Sequence, residues 1–213
     1  MNFPLVFIDE TRDLFAQAIE RARAKVTDPE LLVDKVFQDA EFSFTWYWQL
    51  MGGTNFRGFT RVFDIATGAG YLMWMLREAK GCDVFGNDVK SEYGVIWREL
   101  GIADRVSIHQ IEPFKPAICR GTYDYVVATA IMFNRIDGNK ANLWGVEEWK
   151  FFFFNACAHL TYNGEIYLCF NNKADELPTG ELLDFLERVG QSEGKGRFRV
   201  TRRSFLQLHF HAH

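Results

Sequence analysis

The stretch Val62-Phe63-Asp64-Ile65-Ala66-Thr67-Gly68-Ala69-Gly70-Tyr71 decides the fold. A short apolar run carries a carboxylate near its end and a glycine-bearing turn follows. Leu72-Met73-Trp74-Met75-Leu76 then reads as buried helix. Glycine has no Cβ to hold a ligand away, so such a strand–turn–helix brings backbone N–H groups and a helix N-terminus close to a bound molecule. Outward from this turn the chain alternates strand and helix. The patterns predict strands at 62–66, 83–87, 106–110, 123–129 and 165–170. Helices are predicted at 71–80, 91–100 and 146–160, with Gly101 as the C-cap of the second. Tyr162-Asn163-Gly164 reads as a turn into the strand that follows it. Strands separated by helices of this length form βαβ units and a parallel sheet.

Before this region, residues up to about 55 read as mostly helical. In 11–25, Leu14, Ala18 and Ala22 fall on one stripe with charges opposite, Pro29-Glu30 opens a further helix, and 42–50 is aromatic nearly throughout. Residues 51–55 (Met-Gly-Gly-Thr-Asn) read as a hinge. The expected division is a helical extension or cap, 1–55, and a ligand-binding domain, 56–213. After Asn171-Asn172 come a helix at 180–189, a glycine-bearing loop and a strand-like tail from Arg197 to about His209.

Composition bounds the rest. The 213 residues include 48% apolar residues, enough for a sizeable core, and a high 16% aromatics. A net charge of -4 argues against generic nucleic-acid binding, which leaves a basic footprint. The four cysteines (Cys82, Cys119, Cys157, Cys169) form no C-x-x-C pair and read as thiols in a reducing compartment. No signal peptide opens the chain, and no apolar run approaches the ~20 residues of a membrane span. The expectation is a soluble, cytoplasmic protein.

Asp88 closes the second strand about twenty residues after the glycine turn, where an acid accepts the ribose hydroxyls of a nucleoside. The dinucleotide fingerprint G-x-G-x-x-G fails, because its third glycine would fall at Met73. Asp64, beside the turn, would repel a pyrophosphate but tolerate a cationic ligand.

In these residues the chain resembles the class I S-adenosylmethionine-dependent methyltransferases, over about 61–170. Asp64-Ile65-Ala66-Thr67-Gly68-Ala69-Gly70 is similar to the family's first motif and Asp88 to its acidic ribose binder. Glu112, after the third strand, matches an acid that faces the adenine amino group. Tyr123-Asp124-Tyr125-Val126-Val127 resembles the fourth-strand opening. The stretch 149–168, with Asn163-Gly164, resembles the helix–turn–strand unit that ends the motif set. The resemblance implies a three-layer, Rossmann-like α/β fold: a mostly parallel sheet with helices on both faces and an N-terminal helical cap. It implies S-adenosylmethionine as cofactor, with S-adenosylhomocysteine as product. Asp64, Ala66, Thr67, Gly68, Ala69, Gly70, Tyr71, Asn87, Asp88, Val89, Ile111, Glu112, Thr129 and Ala130 are its implied binding residues. The chain departs from the pattern where Ala66 replaces a glycine, a replacement read as mild. It departs again where one glycine, not two, precedes the fifth strand. Only one strand candidate follows residue 197, which leaves open whether the sheet closes with the family's antiparallel pair or has a truncated or altered edge.

On the acceptor side, 129–135 is the segment that approaches the methyl group in this family. The N/D-P-P-Y/F motif of amino-nitrogen methylation is absent. Asn134 and Arg135 orient an acceptor or form a capped turn; Asn171 and Asn172 touch an acceptor or form a turn. Phe42, Phe44, Trp46, Tyr47 and Trp48 are either a lid or, the preferred reading, a packed helix. Phe151–Phe154 are read as core. His109, in the third strand, is read as a core histidine in preference to a general base. His209, His211 and His213 would share one strand face, and are read as a polar tail with no metal. Glu147-Glu148 suits a helix N-terminus. The function expected is methyl transfer to a small-molecule or glycan-like acceptor, oxygen preferred, by a monomer or homodimer with neither nucleic acid nor membrane as partner. The alternatives are a binding protein without catalysis, a macromolecule methyltransferase that needs a partner subunit, and, least, an NAD-type dehydrogenase.

Overall fold

The computed structural model describes residues 5–32, 35–52, 56–131, 133, 143–170, 178–194 and 196–210. The described strands are β1 (Arg61–Ile65), β2 (Asp83–Asp88), β3 (Val106–Ile108), β4 (Tyr123–Ile131), β5 (Leu160–Phe170), β6 (Gln191–Ser192) and β7 (Arg197–Thr201). They form one seven-stranded sheet in the order β3-β2-β1-β4-β5-β7-β6. β1 with β4, β2 with β3 and β4 with β5 pair in parallel, whereas β7 pairs antiparallel with β5 and with β6. This is the α/β arrangement that the resemblance implies. The sheet edge is therefore not truncated. Its last pair was hard to see because β6 is only two residues long.

The chain divides into two compact units, Met1–Thr60 with Thr67–Ile108, and Arg61–Ala66 with His109–His213. In the first, α1 (Leu5–Lys25), α2 (Pro29–Leu32), α3 (Lys35–Gln38) and α4 (Ala40–Gly52) precede α5 (Tyr71–Lys80) and α6 (Gly94–Glu99). The stripe that α1 buries is Phe15, Ala18, Ile19 and Ala22; Leu14, expected on it, is 55% exposed. Phe15 decides the helix rotation. Its ring meets Phe44 at 5.4 Å, Tyr71 at 4.9 Å and Trp74 at 5.4 Å. Burying one such side chain contributes roughly 1.5–3 kcal/mol. Lys25 and Arg21 both reach Glu99, at 2.6 and 3.7 Å, and so tie α1 to α6. The aromatic run is a helix: Phe44 is buried, Trp46, Tyr47 and Trp48 are half-buried, and Phe42 faces outward. Residues 53–55 of the expected hinge lie outside the described residues, and Met51 and Gly52 belong to α4.

In the second unit, Phe63 and Val127 are inner residues of β1 and β4, paired in parallel register from Val62↔Tyr125 to Ile65↔Ala128. Helices α7 (Val146–Ala158), α8 (Gly180–Val189) and α9 (Arg202–Phe210) accompany this part of the sheet. Phe152 and Phe153 of α7 are core, as expected, but Phe154 is partly exposed and meets Phe205 edge-on at 4.9 Å. Glu148 accepts the Gly145 N–H at 3.0 Å and caps α7, while Glu147 pairs with Lys150.

Three expectations differ from the structure. Tyr162-Asn163-Gly164 is not a turn before β5 but part of it. Between the partners Tyr123↔Leu160 and Tyr125↔Glu165, β5 carries extra residues as a bulge. The tail is not one strand: it turns from β7 into α9 at Thr201, whose Oγ1 accepts the Ser204 N–H at 2.9 Å. That is an N-cap, and it places His209 on a helix. His211 and His213 lie outside the described residues. Strand β3 ends at Ile108, so His109 leaves the sheet, half-buried, with Nε2 3.0 Å from the Pro116 carbonyl. No described helix is long and apolar enough to cross a membrane.

Candidate functional site

In the first unit the glycine turn and the end of β2 are joined by two hydrogen bonds. The Thr67 N–H donates to the Asn87 carbonyl at 2.9 Å, and the Gly68 N–H donates to Asp88 Oδ2 at 2.7 Å. Asp88 Oδ1 accepts the Lys90 N–H at 2.9 Å. Asp88 is only 7% exposed, and Asn87 is buried. A carboxylate offers about four acceptor positions, of which these bonds use two. The remaining pair is what two ribose hydroxyls require, so the residues present fit a nucleoside.

Gly68 and Gly70 have φ of +57° and +82°, in the left-handed region where a Cβ is strained. Their surroundings differ. A Cβ on Gly68 would meet nothing within 4 Å, whereas one on Gly70 would run into Ile102 Cδ1 and lie 3.3 Å from Trp97 Cδ1. Gly70 is thus demanded by packing inside the protein. The open side of Gly68 is where a ligand can approach the backbone. Behind the turn, the Trp97 indole N–H donates to the Gly68 carbonyl at 2.9 Å. Helix α5 starts at Gly70 with no side-chain cap, its first helical bond running from the Trp74 N–H to the Gly70 carbonyl. Such a start presents backbone N–H groups and the positive end of the helix dipole to an anionic group. The Tyr71 hydroxyl donates to the Val36 carbonyl at 2.6 Å. Thr67, Ala69 and Tyr71 are buried; Val89, by contrast, is 56% exposed.

The second unit holds the other expected residues. Asp64, 2% exposed, stands opposite Val127 on β4, and Thr129 is buried opposite Cys169 on β5. Ala130 lies within β4. Ala66 has φ +53°, so its replacement of a glycine is not mild: a left-handed alanine costs roughly 1–2 kcal/mol. Ile111 and Glu112 are half-buried after β3, and Glu112 pairs with Lys115 at 2.6 Å. Asn134, Arg135, Asn171 and Asn172 lie outside the described residues. Phe133 is buried against Trp144, Trp149 and Phe152 at 4.8, 4.5 and 5.1 Å. Among the described residues no group of three His, Cys, Asp or Glu is placed to hold a metal ion.

Sequence reading missed Trp97 and Ile102. Both act on the turn through tertiary packing from about thirty residues away. Neither sits at a motif spacing that could have announced it.

No protein-family model matches the chain, and no curated protein does. Solved structures are similar in fold. A methyltransferase from Geobacter sulfurreducens in complex with S-adenosyl-L-homocysteine is 16% identical, over 71% of this chain and 53% of that one, with a TM-score of 0.42. The mitomycin 7-O-methyltransferase MmcR is 16% identical over 88% of this chain and 59% of its own, with a TM-score of 0.49. A methyltransferase from Aquifex aeolicus is 16% identical over 73% and 87%, with a TM-score of 0.49. The chain spans little more than half the length of the first two.

Proposed function

We propose that the chain is an S-adenosylmethionine-dependent methyltransferase whose acceptor is a small molecule or glycan, methylated on oxygen. One observation carries the reading: the buried Asp88 is fixed against the Gly68 N–H with acceptor positions to spare, beside a Gly68 whose outer side is open. Thr67 through Tyr71 would hold the cofactor on the side of the α5 N-terminus, with Asn87, Asp88 and Val89 on its ribose side. The assignments of Asp64, Ala66, Ile111, Glu112, Thr129 and Ala130 rest on the resemblance, as do those of Asn134, Arg135 and Asn171 on the acceptor side.

When bound, the cofactor supplies an electrophilic methyl group on a sulfonium, so the drive for transfer is its own. The protein's task is to bind and orient, and it needs a base only where the acceptor must lose a proton early. In this reading residues 1–55 are a helical extension to the domain that holds the cofactor.

The test is transfer of tritiated methyl from S-adenosylmethionine into fractionated lysate. The reading predicts label in the small-molecule fraction. Label confined to protein or nucleic acid would move the acceptor to a macromolecule. Cofactor binding without label in any fraction would make the chain a binding protein.

A further inference from the structure

Gly68 is held from two sides. Its N–H is bound by Asp88 and its carbonyl by the Trp97 indole, one bond on each side of a single Cα. Glycine loses more conformational freedom on ordering than any other residue. The two bonds settle Gly68 in its left-handed conformation before a ligand arrives, so binding does not have to impose it. Whatever holds Trp97 in place is therefore part of how this turn binds.

Trp97 lies on α6, a helix of six residues, too short to keep its position unaided. The helix ends in a Schellman cap. The Gly101 N–H donates to the Arg98 carbonyl at 3.0 Å and the Ile102 N–H to the Trp97 carbonyl at 2.8 Å, with Gly101 at φ +66°. The cap thereby joins Trp97 to Ile102, the two residues whose side chains abut Gly70. The carbonyls of Leu100 and Gly101 both accept from Arg77, Leu100 from Nη2 at 2.8 Å and Gly101 from Nη1. Glu78 orients the guanidinium, its Oε1 lying 2.8 Å from Nε and 2.7 Å from Nη2. Arg77 stands on α5, about two helical turns beyond Gly70. These contacts close a ring that runs from the glycine turn through α5, Arg77 and the α6 cap to Trp97 and back to the turn. Lys25 and Arg21 also reach α6, through Glu99, but their side chains are 60% and 55% exposed, where ion pairs contribute little.

We infer that Arg77 is a positioning residue for the cofactor site: by fixing the α6 cap to α5 it keeps Trp97 on the Gly68 carbonyl and the turn in its binding conformation. The inference rests on the reading of this turn as the cofactor seat, and adds a residue that acts on it only through Trp97 and Ile102.

Arg77→Met keeps the apolar stem and deletes both donors. Calorimetric titration of S-adenosylhomocysteine should show a dissociation constant raised about 2- to 30-fold, the range of couplings carried through packed side chains. The indole N–H resonance of Trp97, assigned by its loss in Trp97→Phe, should move upfield in proton–nitrogen correlation spectra of Arg77→Met without ligand. A weakened bond to the Gly68 carbonyl requires that shift. Ser204→Ala removes a hydroxyl 3.0 Å from the Val189 carbonyl in the second unit. It should lower the urea midpoint and leave both readings unchanged, which separates positioning from loss of stability. An unmoved Trp97 resonance, or an affinity in Arg77→Met equal to that of the parent, overturns the inference. If Arg77→Met does not fold, Arg77→Lys, which retains a donor, is read in the same way. Should the intact chain not bind S-adenosylhomocysteine, the cofactor reading falls, and the Trp97 resonance alone still decides the role of Arg77.

Discussion

Gly68 and Gly70, two positions apart, should respond very differently to the same added methyl group. At Gly68, alanine keeps a left-handed φ of +57° but its Cβ meets open space. Left-handed alanine costs roughly 1–2 kcal/mol, offset by roughly 0.4–1 kcal/mol because alanine restricts the unfolded chain. Gly68→Ala should therefore lose about 1 kcal/mol or less. At Gly70 the same backbone term applies, and the Cβ also runs into Ile102 Cδ1, on a side chain that is itself fully buried. Overpacking of this kind adds roughly 1–3 kcal/mol, so Gly70→Ala should lose about 2–4 kcal/mol. The clash is with one identified atom, and Ile102→Val deletes it. In the parent protein that change should cost roughly 0.5–1.5 kcal/mol, and in the Gly70→Ala background it should cost nothing or restore stability. The double-mutant cycle, read by urea unfolding with circular dichroism, should return a coupling of about 1–2 kcal/mol. Equal losses for the two alanines, or a coupling indistinguishable from zero, would refute the division of the turn into a packed side and an open side.

Ala66→Gly should raise stability by about 1 kcal/mol, because it relieves a left-handed alanine at φ +53°; a loss in urea midpoint would contradict this. Trp97→Phe removes the indole bond to the Gly68 carbonyl and should lower stability by roughly 0.5–1.5 kcal/mol, with a matching loss of cofactor affinity by calorimetry. Iodoacetamide should label Cys119, which is exposed, and spare Cys82, Cys157 and Cys169 until the protein is unfolded, as mass spectrometry would show. Burial raises the Cys82 thiol to about 11 and the Cys157 thiol to about 12, from an ordinary 9.0. The folded state then holds these protons more tightly than the unfolded one. Their contribution is complete below pH 9 and is lost as pH rises through 11 and 12, so the urea midpoint should fall above pH 9, and fall less in Cys157→Ala.

The parts of the fold that local pattern controls were legible in the sequence. Helices α5 and α8 begin and end where glycines and apolar periodicity place them. Asp88 stood out because an acid at a strand end, at a set distance from a glycine turn, has few other uses. What could not be read depends on partners distant in sequence. Leu14 and Phe15 are adjacent and both apolar, and only the rings of Phe44, Tyr71 and Trp74 select Phe15 as the inner one. The β5 bulge exists because of what β4 pairs with, and Tyr162-Asn163-Gly164 looks the same in a turn. The helix after β7 had a local signal, Thr201 three residues before Ser204, that the alternating histidines obscured. Trp97 and Ile102 shape the glycine turn with no local signal at all.

The central claim is that the turn at Gly68 and the carboxylate of Asp88 hold an adenosyl ligand. Calorimetric titration of S-adenosylhomocysteine into the intact chain, Gly68→Ala and Asp88→Asn tests it most directly. The account predicts saturable binding to the intact chain, weakened about tenfold or more in each variant while circular dichroism shows the fold retained. No binding to the intact chain, or equal affinity in all three proteins, would contradict it.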